Sequence, residues 1–338
     1  CKLTCQAGTY QDQTGQTTCK PCATGQYNNQ NGRPSCQLCA TGQYNNQNGR
    51  SSCKTCATGT YTDLIKQTSC KSNCIAGSYI KADQSACLLC PQGQFQNKGS
   101  QSLCMDCGTG KYNDQIGGLR ESNCRNCASG TYNSLTGQTL ESSCKNDCNA
   151  GSYITSDKSS CTICPQGQFQ NKDNQPSCNG CILGTYNEKT GSTAESACQI
   201  CPDGTYTDQK GQVSCKDDCG TGSFITPDKT ACSECVKGKF QDEIDQSICK
   251  DCTSGQYSDS AKQTACKDDC SAGSYIIADK SACSLCEKGK WQDLEDQTSC
   301  KSCTVGTYLN QKGQTSATFC LDCTVGRYND QIGRAVES

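Results

Sequence analysis

Apolar residues in this chain are sparse and arrive singly, with neither the 3.6-residue stripe of an amphipathic helix nor a long alternating strand. One apolar position recurs strictly. Nineteen times in 338 residues the chain writes a cysteine, two residues, a glycine, one residue and an aromatic, from Cys5-Gln-Ala-Gly8-Thr-Tyr10 to Cys323-Thr-Val-Gly326-Arg-Tyr328. The aromatic is Tyr10, Tyr27, Tyr44, Tyr61, Tyr79, Phe95, Tyr112, Tyr132, Tyr153, Phe169, Tyr186, Tyr206, Phe224, Phe240, Tyr257, Tyr275, Trp291, Tyr308 or Tyr328; Phe319 alone lies elsewhere. A fixed short period of this kind is the mark of a repeat architecture. Gly-x-aromatic followed by Asn, Asp, Gln and a further glycine, as in Tyr112-Asn-Asp-Gln-Ile-Gly117, reads as a short strand, a turn and a return strand of two to four residues. The pattern therefore predicts small disulfide-rich β repeats: an elongated, solenoid-like array of short hairpin modules with little helix and no large core.

The spacing between the phrases gives the organisation. Most cysteines form C-x2-C doublets 13 residues apart, such as Cys19/Cys22 and Cys36/Cys39, while four gaps lengthen to 16. Five doublets widen to C-x3-C: Cys1/Cys5, Cys70/Cys74, Cys144/Cys148, Cys215/Cys219 and Cys266/Cys270. After four of these come near copies with a shorter gap: CIAGSYIKADQSAC, CNAGSYITSDKSSC, CGTGSFITPDKTAC and CSAGSYIIADKSAC. The predicted domains are thus the end of a preceding repeat (1–4) and super-repeats at 5–73, 74–147, 148–218, 219–269 and 270–338. They hold four, four, four, three and four modules. Residues 323–338 track residues 107–122, whose copy continues to Cys124, so a further cysteine is expected about two residues beyond Ser338 in a longer repetitive polypeptide.

Composition narrows the chemistry. Cysteine supplies 38 of 338 residues, a disulfide-scaffold frequency, whereas hydrophobic residues reach only 33% with cysteine included. Four-thiolate zinc and dithiol redox chemistry both use C-x-x-C. Yet the chain has no histidine, no basic cluster and no helical pattern to carry such a motif. Structural disulfides are the better reading. Closing each long loop pairs Cys22 with Cys36, Cys39 with Cys53, Cys56 with Cys70 and Cys74 with Cys87, and leaves Cys1 and Cys323 over. An interlaced scheme, Cys19–Cys36 with Cys22–Cys39, stays open, because spacing alone does not set connectivity. Each aromatic is expected to cover a disulfide and pad the contact to the next module.

The phrase from Cys201-Pro-Asp-Gly204-Thr-Tyr206 through Gly211 to Cys215 resembles the ephrin-receptor-like cysteine-rich repeat, and the smallest single-disulfide module of tumour-necrosis-factor-receptor-like ectodomains. The resemblance covers essentially the whole chain. It implies an extracellular rod of laddered hairpins and the loop-closing pairing. In full that is Cys5–Cys19, Cys22–Cys36, Cys39–Cys53, Cys56–Cys70, Cys74–Cys87, Cys90–Cys104, Cys107–Cys124, Cys127–Cys144 and Cys148–Cys161. It continues with Cys164–Cys178, Cys181–Cys198, Cys201–Cys215, Cys219–Cys232, Cys235–Cys249, Cys252–Cys266, Cys270–Cys283, Cys286–Cys300 and Cys303–Cys320. Receptor ectodomains of that group interleave two-disulfide modules, which this chain lacks. Long arrays rich in Gln, Asn, Lys and Thr are similar to cysteine-rich surface proteins of unicellular eukaryotes.

Candidate chemistry adds little. Without histidine there is no Ser-His or Cys-His arrangement, and the glycines are spaced by module rather than gathered into a phosphate loop. No enzyme activity, cofactor or metal is expected. The acidic runs Asp242, Glu243, Asp245 and Asp293, Glu295, Asp296 have calcium-ligand chemistry, but read better as solvated turns. A formal charge of −2, with 31 basic and 33 acidic residues interspersed, gives no footprint for nucleic acid or anionic membrane. No run of 18 apolar residues offers direct membrane insertion. No Asn-x-Ser/Thr sequon occurs, while threonine and serine in the turns fit O-linked glycans. The expected role is an extracellular or cell-surface structural protein whose partners are copies of itself. The alternative is an anchored surface antigen or receptor stalk.

Overall fold

The computed structural model describes residues 4–336. These fall into two compact units, one within Cys1–Ile163 plus Lys172–Ser177 and the other within Cys164–Asn171 plus Cys178–Ser338. Both are built from tandem two-stranded antiparallel hairpins, each clipped by a disulfide, with almost no helix and no large core. Modules are named here by their first cysteine. Cys1 lies outside the described residues.

The return strand is not where the turn chemistry puts it. In the Cys5 module Thr9–Tyr10 pairs with Lys20–Pro21, and in the Cys107 module Lys111–Tyr112 pairs with Arg125–Asn126. The second strand is therefore the pair of residues inside the C-x2-C doublet, and the segment between is a long excursion rather than a tight turn. The tip of that excursion is committed to a neighbour. The tip amide of the second module, at Gly32, donates to the Cys5 carbonyl at 2.7 Å; Gly49 does the same to Cys22, Gly117 to Cys90 and Gly211 to Cys181.

Three backbone bonds recur and tie one hairpin to the next. The cysteine that opens a module closes the preceding hairpin, as Cys22 N–H donates to Gly8 O at 2.9 Å. The motif glycine donates to the residue after the next module's aromatic: Gly8 to Asn28, Gly77 to Gln96, Gly167 to Asn187 and Gly222 to Gln241, all at 2.7 Å. That residue in turn donates onward, as Asn28 N–H does to Arg50 O and Gln241 N–H to Gln263 O. Backbone polar groups of such short strands would otherwise face water or burial unpaired. Here the next module satisfies them.

The motif glycine meets two demands at once. Its φ lies in the left-handed region, for example +80° at Gly77. It also faces the tip of the module two further along: a methyl added at Gly77 would sit 2.7 Å from the Gly117 carbonyl oxygen, and one at Gly184 would sit 2.5 Å from that of Asp228. Contact thus extends past the nearest neighbour. Seven residues after each motif glycine, the tip residue also has positive φ, either a glycine such as Gly117 or one of ten others including Lys66, Asn174, Asp245 and Asp296.

The four modules with the longest loops, Cys107, Cys127, Cys181 and Cys303, fold their three extra residues as single 3-10 turns at Glu121–Asn123, Glu141–Ser143, Glu195–Ala197 and Ala317–Phe319. The hydrophobic periodicity carries no sign of them, because one turn has no face to bury.

Gly289 and Gly255 share a φ of 81° and 83°, but only Gly289 faces a carbonyl (that of Gly333) in direct contact; at Gly255 the nearest atom is 3.4 Å away. Both alanine variants are expected to lose roughly 1 kcal/mol to left-handed strain. Gly289→Ala should lose about 1–3 kcal/mol more through overpacking. Guanidinium unfolding with the disulfides intact measures the difference.

Candidate functional site

The chemistry of this chain lies in the contacts between modules. The structure joins every cysteine pair of the loop-closing scheme, with Cα separations of 5.5–5.8 Å. Such separations suit unstrained bridges. Cys323 is the free cysteine among the described residues. The first cysteine of every pair is buried, Cys22, Cys39, Cys90, Cys107 and Cys219 among those that are so completely.

Four of the aromatic rings pack with buried cysteine of the following module. Phe95 packs with Cys107 and Cys124, which are bonded to each other in the next hairpin. Tyr61 packs with Cys74, and Tyr206 and Tyr257 with Cys219 and Cys270. Tyr112 and Phe169 are buried as well, and the other rings are half-buried, apart from the exposed Tyr328 in the last module. Phe319 is 45% exposed in its 3-10 turn.

Sequence reasoning passed over the residue directly after the aromatic, which is the most thoroughly buried polar position in the chain. Asn28, Asn45 and Asn113 are 0–1% exposed. Each donates its amide to a strand carbonyl of the preceding module, Asn28 to Thr9 O at 2.7 Å and Asn45 to Gln26 O at 2.6 Å. Each also accepts from the amide two residues on, as Asn28 Oδ1 does from Gln30. Asn113, Asn133, Asn187 and Asn329 repeat the arrangement. Gln96, Gln241 and Gln292 turn inward instead and bond within their own loops, to Leu103, Ile248 and Ser299. Buried amides with both ends satisfied fix orientation as apolar contacts cannot.

The C-x3-C doublets make a different contact. After four of them the buried position holds isoleucine: Ile80, Ile154, Ile225 and Ile276, 1–4% exposed. Ile80 joins Tyr61, Cys74 and Cys87 in a small dry cluster, and Ile225 and Ile276 do the same. The preceding tyrosine hydroxyl donates to the extra doublet residue: Tyr61 to Asn73 at 3.1 Å, Tyr132 to Asp147 at 2.9 Å, Tyr206 to Asp218 at 2.8 Å and Tyr257 to Asp269 at 2.7 Å. The inserted residue withdraws the cysteine amide from the glycine carbonyl it meets elsewhere. A tip side chain replaces that acceptor: Cys148, Cys219 and Cys270 N–H donate to Asn174, Asp245 and Asp296 Oδ1 at 2.9–3.1 Å. Lys158, Lys229 and Lys280 close the back of the contact on the carbonyls of Cys127, Cys201 and Cys252. Gln84 stands in the equivalent place after Asn73, and its Oε1 is buried without a hydrogen-bond partner.

The two acidic runs point at these same tasks. Asp242 and Glu243 pair with Lys250, and Asp293 with Lys301, while Asp245 and Asp296 cap cysteine amides. Glu295 gives its carbonyl, not its carboxylate, to Gln297. Cross-strand Asp–Lys pairs recur at Asp12–Lys20, Asp63–Lys71, Asp208–Lys216 and Asp259–Lys267. The lysine bond holds each of these carboxyls below the usual aspartate value. Their stabilising effect is present above about pH 4 and fades as pH falls through the lowered folded value. Being exposed, the pairs contribute little.

Residues 77–124, 151–198 and 273–320 match the family described as tyrosine-protein kinase ephrin type A/B receptor-like. Each match begins at the glycine of an isoleucine module and ends at the second cysteine of a long-loop module. A search among curated proteins finds no match.

Burial first, and the Asp218 bond second, push the Tyr206 hydroxyl up to about 12; the Asp269 bond first, then burial, push Tyr257 up to about 12. Raised values mean that this stabilisation is complete below the unfolded value of about 10 and is lost as pH rises through the folded one. Tyrosinate absorbance, read as the difference between the native chain and its Tyr206→Phe or Tyr257→Phe variant, should place both ionisations near pH 12. Asp269→Asn should lower the Tyr257 midpoint more than Asp218→Asn lowers that of Tyr206. Ionisation of both by pH 10 would contradict the assignment.

Disulfide-clipped hairpins in tandem make this chain a cysteine-rich repeat protein, three stretches of which are similar to the ephrin type A/B receptor-like family.

Proposed function

We propose that this chain is a non-enzymatic, extracellular structural protein that assembles with copies of itself into a fibril, appendage or coat. The observation that carries the reading is the sameness of the module contacts. The backbone donors and acceptors that join the Cys5 module to the Cys22 module reappear between the Cys286 and Cys303 modules. A surface repeated in this way suits partners that repeat likewise, above all another copy of the same chain.

Location is supported by two facts: disulfides of this density persist in oxidising surroundings, and the matching family is that of receptor-like proteins. No helix among the described residues is long and apolar enough to cross a membrane. The serine- and threonine-rich tips fit O-linked sugars, and nothing in the chemistry calls for a cofactor or a nucleic acid.

The family match favours one other reading, a receptor stalk or displayed surface antigen. Negative-stain electron microscopy of the native secreted material separates the two. Filaments that lengthen with protein concentration are the expected result. Discrete particles at every concentration, together with saturable binding of a second protein, would overturn self-assembly in favour of display.

A further inference from the structure

We propose that the C-x3-C doublets are articulations, the places where one hairpin can rotate against the next while the modules on either side stay rigid. This holds for a filament subunit and for a stalk alike.

Two of the three backbone bonds that tie ordinary modules are missing at these points. Among the described residues, neither Gly59, Gly130, Gly204 nor Gly255 donates to the module that follows, and none accepts from the following cysteine. The two-residue ladder shrinks to one bridge, Tyr61 with Lys71, Tyr132 with Lys145, Tyr206 with Lys216 and Tyr257 with Lys267. The tip from two modules along also stands back. A methyl added at these four glycines would find the nearest atom at 3.4–3.6 Å, against direct contact with a carbonyl oxygen at glycines such as Gly8, Gly93 and Gly167, whose tip contacts cross no C-x3-C doublet; the contact from one module earlier, as from Gly42 to the Asp83 carbonyl, is kept across the doublet.

What replaces the lost bonds has a different mechanical character. Backbone hydrogen bonds between strands weaken steeply with misalignment. The dry cluster of Tyr61, Cys74 and Ile80 is non-directional and tolerates sliding while it stays covered. One backbone bond still crosses, from Thr62 N–H to Gln84 O and its equivalents at 2.9–3.1 Å; the other hydrogen-bonded ties are side chains with free torsions, the tyrosine hydroxyl to Asn73 or its aspartate equivalents and the lysine tips to a cysteine carbonyl. Rotation at such a contact works against one backbone bond and lengthens flexible tethers, whereas rotation between ordinary modules breaks three backbone bonds together.

Pulsed electron-electron spin resonance on the intact chain, with spin-labelled non-natural amino acids at exposed loop positions, tests this without touching a cysteine. A pair at Gln47 and Lys81 spans a C-x3-C contact; a pair at Lys98 and Leu135 spans the same number of modules without one. The distance distribution of the first pair should be at least about twice as broad as that of the second. Tyr61→Phe, which removes only the tether to Asn73, should broaden the first pair further and leave the second unchanged. Equal widths in the native chain, or a broader second pair, would overturn the proposal. Retention of all disulfides in each labelled protein, checked by thiol titration, excludes misfolding as the cause of a broad distribution.

Discussion

A ring resting on its neighbour's disulfide is the interaction on which this molecule depends. A hairpin of two residues per strand cannot enclose an interior, and one aromatic per module is too little apolar surface to order it. The disulfide does two things in its place. It restricts the open chain before folding begins, and it presents a buried, apolar sulfur pair to the ring of the module before it, as Cys107–Cys124 does to Phe95. Neither partner has its surface covered until both modules are present. Stability is therefore a property of adjacent pairs, as in other repeat arrays.

The polar groups follow from the same geometry. Strands this short leave their edges open, and each edge is answered by the neighbour's backbone or by a buried asparagine such as Asn28 or Asn45. Most tips complete the arrangement by reaching back over two modules, which together with its left-handed φ accounts for a motif residue without a side chain. Where one residue is inserted into a doublet the pattern cannot be kept. Isoleucine then takes the amide's place, aspartate at the tip takes the glycine carbonyl's place, and a lysine covers the rest. Gln84 is the one member of that set left with a buried oxygen unanswered.

Much of this was legible in the residues. Repeat length, hairpin character and the absence of a large core follow from the spacing of Cys, Gly and aromatic, since only one residue type per module has the size to be covered. The return strand was misplaced because the turn signal in Tyr112-Asn-Asp-Gln-Ile-Gly117 suggests a tight hairpin, whereas the tip at Gly117 bonds to Cys90 instead of its own strand. The buried position after the aromatic escaped notice although its signal is plain: isoleucine in the four near-copies that follow C-x3-C, and mostly Asn, Gln, Thr or Ser elsewhere. Single polar residues in a polar chain draw no attention until a neighbour is seen to cover them. The single 3-10 turns leave no periodic trace at all.

Full reduction under otherwise native conditions tests the central claim most directly. Trp291 reports on it, because its half-buried ring lies 4.9 Å from the Lys301 ammonium across the hairpin that the Cys286–Cys300 bridge closes. Breaking the disulfides should shift Trp291 fluorescence to that of a solvent-exposed indole and expand the chain in small-angle scattering to unfolded dimensions. A reduced chain that kept its compact scattering profile and its native Trp291 emission would show that module contacts suffice without sulfur bridges, and would contradict the account.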